Sequence, residues 1–344
     1  MKISEVLQAW ALILSGRPPS ISIELTRECP LRCPGCYAYE DAHLGVPGLT
    51  LRQLADFKGS PLVQRVLDLI DQHRPLHVSL VGGDPLVRFR ELEELLPQLE
   101  RRGIHVQLVT SAFRQIPVHW NALTRLNVVV SVDGLQPEHD LRRKPATYDR
   151  ILKNVAGAKV TIHCTVTGQM MKRPGYLKDF ARFWSLRPET KRIWFSFFTP
   201  QKGALAAEIL TPAERSHAIE ELMQLRTVYP LIEMSRRMIE EFRNPPASPE
   251  ACIFARTTLS VSADLKTRIT PCQFGGDPDC SQCGCAASMG LAAVGHYRIL
   301  PGVTAGKIFT VSQLIGSRLA QLRQRPDSGY PLGLTQIDEE RKVA

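Results

Sequence analysis

The sequence predicts an α/β fold, a partial (βα)6 barrel of the TIM-like kind, followed by a small C-terminal hairpin and cysteine-rich domain. Between residue 21 and about residue 198, six short β-rich segments alternate with helical patterns. Several β segments, such as VSLV and NVVVSV, are continuous apolar runs, which is typical of parallel strands covered on both faces. Successive strand–helix units favour a parallel, right-handed sheet that curves into an open barrel.

The predicted strands are short and rich in Val, Ile and Leu; they cover residues 21–25, 76–81, 104–109, 127–132, 159–166 and 192–197. Helical spacing of apolar residues lies between them. Leu92, Leu95 and Leu99 share one helix face, and Gly103 follows at the position where helices commonly end. Pro145 is the predicted first residue of another helix. The chemistry of such a fold is expected at the C-terminal ends of the strands.

The pattern changes after residue 199. Two helices, 212–228 and 231–242, precede the proline-rich sequence NPPASPE at 244–250. The runs LSVSA and TRIT then predict a hairpin before a cysteine-rich loop, and a last amphipathic helix is expected at 311–322. We therefore predict an N-terminal helix at 1–20, a barrel core at 21–200, a helical connector at 201–250, a cysteine-rich domain at 251–325 and a tail at 326–344.

Charge and hydropathy limit the classes of partner that the chain is expected to bind. The net charge is +9, but the basic residues are scattered, so a solvated basic surface is favoured and no strong nucleic-acid signal is present. No segment has the eighteen or so apolar residues of a membrane span, and a cytoplasmic location is expected. The N-terminal helix carries an apolar face that either packs on the protein or contacts a lipid surface; its residues are Val6, Leu7, Trp10, Ile13 and Leu14.

The nine cysteines are unevenly placed. Three lie within residues 29–36, Cys164 is alone, and five lie between Cys252 and Cys285. A disulfide framework would suit a small secreted protein, whereas clustered thiols in a reducing compartment indicate metal binding. Cys164 is expected to be a core residue.

The first cysteine group has the spacing C-x3-C-x2-C directly after the first predicted strand, at Cys29, Cys33 and Cys36. Structural zinc requires four ligands, and no fourth lies nearby in the sequence. A [4Fe–4S] cluster has four irons, so three thiolates would leave one iron open to a substrate or cofactor.

This spacing, its position and the six strand–helix units together resemble the radical S-adenosylmethionine (radical SAM) superfamily. The resemblance implies that the three cysteines hold a catalytic [4Fe–4S] cluster whose open iron is chelated by SAM. It also implies that an electron from the cluster cleaves SAM to methionine and a 5′-deoxyadenosyl radical, which abstracts hydrogen. An external electron donor such as flavodoxin or ferredoxin is expected.

Two further motifs resemble SAM-binding segments of this family. The first follows the second strand and is similar to the family's Gly-Gly-Glu-Pro, which binds the methionyl amine; it comprises Gly82, Gly83, Asp84 and Pro85. The second resembles the Ser-x-Asp-Gly…Arg pattern of peptide-modifying members, in which Ser touches ribose and Arg the methionyl carboxylate; here these are Ser131, Asp133 and Arg143. A structural ion pair is the alternative role of Arg143.

The sequence departs from the family at Gly35, where an aromatic residue commonly precedes the third cysteine. Tyr37 follows that cysteine and is the candidate to cover the adenine. The adenine pocket is therefore the least well predicted part of the SAM site.

The C-terminal cysteines resemble the SPASM or twitch domains of radical SAM enzymes. One cysteine precedes the predicted hairpin, one closes it and others follow. The resemblance implies one auxiliary [4Fe–4S] cluster held by Cys252, Cys272, Cys280 and Cys283, with Cys285 as an alternative ligand. A zinc knuckle is the competing interpretation.

The resemblance implies a hydrogen-abstracting enzyme that oxidises, crosslinks or epimerises a peptide or small natural product. Alternatives are a lipid, isoprenoid or RNA substrate, or a non-catalytic iron–sulfur or zinc scaffold. A peripheral membrane contact is a possible further partner. His77, His105 and His163 lie on or beside strands without ligand spacing and are expected to be packing or hydrogen-bonded residues.

Overall fold

Seven parallel strands form one sheet in the computed structural model, which describes residues 3–34, 36, 42–46, 48–145 and 147–323. The strand order is β6-β5-β4-β3-β2-β1-β7, so the first six strands lie side by side in chain order. Their bounds are β1 Ser20–Glu24, β2 His77–Val81, β3 His105–Thr110, β4 Leu126–Ser131, β5 Val160–Val166, β6 Thr190–Phe197 and β7 Thr258–Val261. The predicted α/β partial barrel is confirmed.

Helices follow the strands and precede β1. The helices are α1 Ile3–Leu14, α2 Ser60–His73, α3 Phe89–Arg101, α4 Glu138–Arg142, α5 Tyr148–Asn154, α6 Gly168–Met171, α7 Tyr176–Ser185, α8 Pro212–Val228, α9 Arg236–Glu240, α10 Ile253–Thr257, α11 Ala286–Gly295 and α12 Ala305–Arg323. Short 3-10 turns cover Leu51–Gln53, Pro85–Arg88, Val118–Ala122, Glu241–Arg243 and Cys280–Gln282. Two further strands, β8 Arg298–Leu300 and β9 Val303–Thr304, form an antiparallel hairpin.

The hydrophobic core lies between the sheet and these helices. On α3, Leu92, Leu95 and Leu99 are fully buried, as their spacing predicted. The helix predicted to open at Pro145 begins instead at Tyr148. The Asp140 carboxylate accepts a hydrogen bond from the Tyr148 backbone N–H, which stabilises the start of α5 at that residue.

The predicted C-terminal hairpin differs from the structure in its first strand. Residues Thr258–Val261 form β7, which pairs in parallel with β1 and extends the main sheet. The chain then turns back, and one antiparallel bridge joins Val261 to Arg268. The sequence could not show this pairing, because β1 and β7 are over 200 residues apart. The predicted domain boundaries stay predictions, and β7 joins the core sheet from the segment assigned to the cysteine-rich domain.

The N-terminal helix packs against the last described helix. The indole Nε1 of Trp10 donates a hydrogen bond to Ser312 Oγ at 2.6 Å, and Ile13 is buried between the two helices. Leu7 and Leu14 are exposed, so the five apolar residues predicted for one face are divided between packing and solvent. Within the described ranges, no helix combines the length and apolar character needed to cross a bilayer.

Candidate active site

The interior of the barrel is polar. Along the strands, alternate residues such as Ile23, Leu80 and Leu108 belong to the core beneath the helices. Because side chains alternate between the two faces of a strand, the intervening residues point inward. They include Ser22, Glu24, Ser79, Gln107, Ser131, His163 and Ser196. This interior can hold a polar ligand in a way that a packed apolar barrel could not.

The two glycines of the predicted SAM segment lie against the chain that leads into Cys29. The Gly83 N–H donates to Thr26 O at 2.8 Å, and the Asp84 N–H donates to Glu28 O at 2.9 Å. A Cβ added to Gly83 would lie 2.1 Å from Glu28 O, and Gly82 has a φ of +117°. Only glycine therefore fits here. The close approach is to the protein's own backbone, which fixes the first cysteine relative to β2.

Asp84 connects the ends of β2 and β3. Its buried carboxylate accepts hydrogen bonds from Leu86 N, Thr110 Oγ1 and both the N–H and the hydroxyl of Ser111, at 2.6–3.0 Å. Burial raises the pKa of this carboxyl, and the hydrogen bonds oppose that shift. Pro85 follows as the first residue of a buried 3-10 turn. These hydrogen bonds of Asp84 all go to protein groups, so its SAM-binding role stays a prediction.

Asp133 is paired with two arginines just beyond the end of β4. Its Oδ2 accepts from Arg142 Nε at 2.9 Å and from Arg143 Nε at 2.7 Å. Burial of this carboxyl, which is 2% exposed, would raise its pKa, but the two guanidinium groups outweigh burial and hold the pKa well below its usual range. The ion pair considered for Arg143 is therefore present.

The two arginines differ in their outer nitrogens. Arg142 Nη1 reaches Glu208 at 3.3 Å. Within the described part of the chain, the Nη groups of Arg143 have no hydrogen-bond acceptor, and Asp133 Oδ1 is buried without a partner. Arg143 thus keeps a planar pair of donors available for a carboxylate, although its Nε is already engaged.

The loop with the first three cysteines docks beside Arg143. The Arg32 N–H donates to Lys144 O at 3.2 Å. Burial raises the pKa of Cys29 to about 11 and also raises that of Cys33, where the Arg143 charge acts in the opposite direction. Cys36 is half-buried and contributes to the electrostatic environment of Arg143. The structure therefore brings the predicted cluster ligands and the predicted SAM-binding arginine together.

Ser131 and Tyr37 are the remaining residues predicted to bind SAM. Ser131 ends β4, is buried, and lies in register with His163 of β5. Tyr37, the candidate cover for adenine, lies outside the described residues.

The donor chemistry fits an iron–sulfur cluster with one open iron. The Cys29 thiol lies near enough to Cys33 and Cys36 to interact electrostatically with both, and a cluster would displace the thiol protons on binding. Among the described residues, no three His, Cys, Asp or Glu side chains lie close enough to share one metal ion. A cluster does not require such a group, because its ligands attach to separate irons.

The second cysteine group converges on one cavity. Five cysteines line it, and Cys285 is among them together with Cys252, Cys272, Cys280 and Cys283. Burial raises the pKa of Cys272 to about 12 and that of Cys280 to about 11. Cys252 directly precedes α10 and Cys285 directly precedes α11. The five thiols that the sequence singled out are therefore together, and the choice of four ligands stays a prediction.

A buried pair that sequence reasoning missed connects the two cysteine regions. His43 Nε2 lies 2.7 Å from Glu24 Oε1, and His43 Nδ1 lies 3.1 Å from Phe274 O. Ser262 donates to the other carboxylate oxygen at 2.7 Å. Each ring nitrogen of His43 therefore faces an oxygen of the protein, one from Glu24 and one from the Phe274 backbone. The sequence signal that could have indicated this buried pair is Glu24, the single charged residue in the β1 strand.

His163 occupies a more specific place than the sequence indicated. Its Nε2 lies 2.7 Å from Ser196 Oγ, which also accepts from Ala286 N beside Cys285. Burial lowers the pKa of His163 to about 4, and the Asp133 charge opposes that shift. His163 is hydrogen-bonded as predicted, and it lies between the Asp133–Arg143 pair and the second cysteine group.

Comparison with known proteins places the core in a family. Residues 23–180 match the model described as "Radical SAM superfamily". A PqqA peptide cyclase from Streptomyces rochei is 36% identical over 97 residues, which are 28% of this chain and 24% of that protein. A 7-carboxy-7-deazaguanine synthase from Hyperthermus butylicus is 32% identical over 107 residues, 30% of this chain and 39% of that protein. The chain thus matches well under half the length of these curated relatives.

Solved structures share the fold. The structure "Native anSMEcpe with bound AdoMet" superposes with a TM-score of 0.53 at 16% identity and covers 74% of each chain. Streptococcus suis SuiB bound to its precursor peptide SuiA gives a TM-score of 0.55 at 17% identity, covering 79% of this chain and 63% of SuiB. The predicted resemblance to a family whose members use SAM and a [4Fe–4S] cluster is confirmed for part of the chain. Over residues 23–180, this chain is similar to the radical SAM superfamily.

Proposed function

We propose that this chain cleaves SAM reductively and uses the resulting radical to abstract hydrogen from a peptide or small natural product, causing oxidation, crosslinking or epimerisation. The observation that carries this proposal is the convergence of the three-cysteine loop with the Asp133–Arg143 pair at the polar barrel interior. The peptide is favoured as substrate because the PqqA cyclase and SuiB act on or bind peptides by name.

Separate residues of the chain would bind the cluster and SAM. Cys29, Cys33 and Cys36 would hold the cluster, and Arg143 would pair with the carboxylate of SAM. Asp133 keeps Arg143 in place and balances its charge. Bound there, SAM and the cluster supply the radical that removes a hydrogen atom. The barrel walls position the substrate and keep water out.

The five C-terminal thiols support an auxiliary [4Fe–4S] cluster. It would accept an electron from the substrate or pass one to the first cluster. An external donor such as flavodoxin or ferredoxin would supply the reducing electron. We place the enzyme in the cytoplasm, where a reducing environment keeps the thiols free for iron.

Anaerobic reconstitution tests the activity. The protein, SAM and dithionite should yield 5′-deoxyadenosine, and Cys33→Ala should abolish that yield and lower the bound iron by about four atoms per chain. Cys164→Ala is the matched control, because Cys164 is buried in β5 among core residues and should leave iron and product unchanged. Zinc at the first three cysteines of anaerobically purified protein would overturn the proposal and leave the scaffold alternative.

The substrate class has its own test. A peptide substrate labelled with deuterium should transfer the label to 5′-deoxyadenosine and change in mass. Loss of turnover after ribonuclease treatment of an otherwise active extract would favour RNA instead.

A further inference from the structure

The last described helix, α12, is built with its apolar side outward. The fully buried residues of this helix are small or polar, namely Ala305, Ser312 and Gly316. A Cβ on Gly316 would lie 2.0 Å from Ile13 O, so α12 approaches α1 through a surface without bulky side chains. Helices on a protein surface ordinarily bury their apolar stripe and expose the polar one.

The outward side of α12 carries a stripe of large apolar residues at helical spacing. Leu314 is 59% exposed, Ile315 47% and Leu322 84%, and the same stripe includes Val311 and Leu319. Arg318 lies within the stripe and is exposed. A long basic side chain can lie along apolar surface while its guanidinium reaches a polar boundary.

Neighbouring elements extend this surface. The β8–β9 hairpin exposes Ile299 and Leu300, and α1 exposes Leu7. We call the surface formed by α1, α12 and this hairpin the α12 face. Contiguous exposed apolar area of this kind marks a site that binds a partner.

A cavity of about 580 Å³ opens between the same elements. Trp10, Phe309 and Ile308 line it along with Tyr297, and Arg237 stands as its exposed cationic residue. Its volume lies within the range of ligand pockets, roughly 300–1,000 Å³. An apolar chain with an anionic end matches both the lining and the arginine.

The positive charge of the α12 face favours an anionic partner. No Asp or Glu occurs from residue 280 to residue 323, whereas Arg298, Lys307 and Arg318 do and are exposed. A two-fold interface between two copies would bring the basic residues of α12 and the β8–β9 hairpin close to their own copies, which is unfavourable. An anionic surface is complementary to the α12 face.

We propose that the α12 face binds an anionic phospholipid bilayer, with the apolar stripe in the interfacial layer and one lipid acyl chain in the cavity. Interfacial binding of this kind rests on buried apolar area and on attraction to anionic lipids. It requires no membrane-spanning helix. The inference is independent of the proposed reaction.

Vesicle co-sedimentation of the cluster-loaded protein tests the proposal. Vesicles containing phosphatidylglycerol should bind at least about tenfold more tightly than pure phosphatidylcholine vesicles, and raised salt should weaken binding. Leu314→Glu combined with Ile315→Glu should weaken binding by at least about tenfold. Leu186→Glu, at a still more exposed position after α7, is the control and should bind as the unmodified protein does.

A second measurement tests the cavity. Phospholipids brominated on the acyl chain should quench tryptophan fluorescence, and Trp10→Phe should remove most of the quenching, because Trp120 and Trp184 are buried elsewhere and Trp194 lies in β6 of the barrel sheet.

Several results would overturn the inference: equal binding to both vesicle types, no effect of the Leu314/Ile315 double substitution, quenching that survives in Trp10→Phe, or a lipid-free dimer that the double substitution dissociates. 5′-Deoxyadenosine formation in the double variant separates this outcome from failure of the proposed reaction.

Discussion

The sharpest test of the SAM site compares two adjacent arginines on one carboxylate. Arg142 and Arg143 both pair with Asp133 Oδ2, but Arg142 also reaches Glu208, whereas the outer nitrogens of Arg143 have no acceptor among the described residues. If Arg143 binds the carboxylate of SAM, Arg143→Lys should weaken SAM binding far more than Arg142→Lys.

The magnitude follows from the hydrogen bonds lost. Lysine keeps the positive charge near Asp133, so the buried carboxylate remains compensated, but lysine lacks the planar pair of donors. Hydrogen bonds to charged groups contribute about 1.5–3 kcal/mol each, and about 1.4 kcal/mol is a factor of ten in affinity. Loss of one such bond should therefore weaken SAM binding by about 10- to 150-fold.

Equilibrium dialysis of anaerobically reconstituted protein against labelled SAM measures the change. Iron and sulfide must be equal in the three proteins, so that the comparison reports SAM contacts and not cluster loss. Unchanged affinity in Arg143→Lys, or an equal loss in Arg142→Lys, would refute the assignment of Arg143.

Other substitutions test the second cysteine group, the glycine contact beside Cys29 and two buried histidine-containing contacts. Cys272→Ala should spare some uncoupled SAM cleavage but stop product formation; turnover equal to that of the unmodified protein would make the second cysteine group dispensable. Gly83→Ala should destabilise the protein by about 1–3 kcal/mol and lower the iron content, because its Cβ would lie 2.1 Å from Glu28 O; full iron content would argue against this steric role. Glu24→Gln should cost about 1–3 kcal/mol of unfolding free energy in urea, since an amide replaces the buried carboxylate that contacts His43 and Ser262; a loss below about 0.5 kcal/mol would contradict the pairing. Burial lowers the pKa of His77 to about 4 from 6.5, so stability should rise from pH 4 to 6.5 as the unfolded chain releases its proton. His77→Gln should remove about 3 kcal/mol of that rise, measured by urea unfolding at both pH values; an unchanged pH dependence would show that His77 does not titrate in this window.

The strands and the two cysteine groups could be predicted because their signals are local. Six apolar runs marked six parallel strands to within two residues at each end. The glycine pair and the cysteine spacings needed only neighbouring residues. The C-terminal helix was also predicted, but residues 305–310 at its start include Gly306 and Thr310, which weaken the helical signal.

Long-range pairings could not be predicted in the same way. Glu24 and His43 are nineteen residues apart, and Phe274 is 231 residues beyond His43. Their contact depends on how two loops fold onto the barrel, for which a single sequence carries no periodic signal. Arg142 was missed for a different reason. The family motif has a single arginine, and Arg143 was assigned to it, whereas in the structure both Arg142 and Arg143 pair with Asp133.

The inward residues of the strands connect fold to function. A parallel barrel is ordinarily filled by bulky apolar side chains. Here Glu24, Ser131 and His163 face inward, and the Ser260 hydroxyl is buried without a partner among the described residues. Such groups are costly inside a protein unless water or a ligand satisfies them. The helices and outer strand faces therefore supply the stability, and the interior is left polar so that a charged cofactor and a substrate can occupy it.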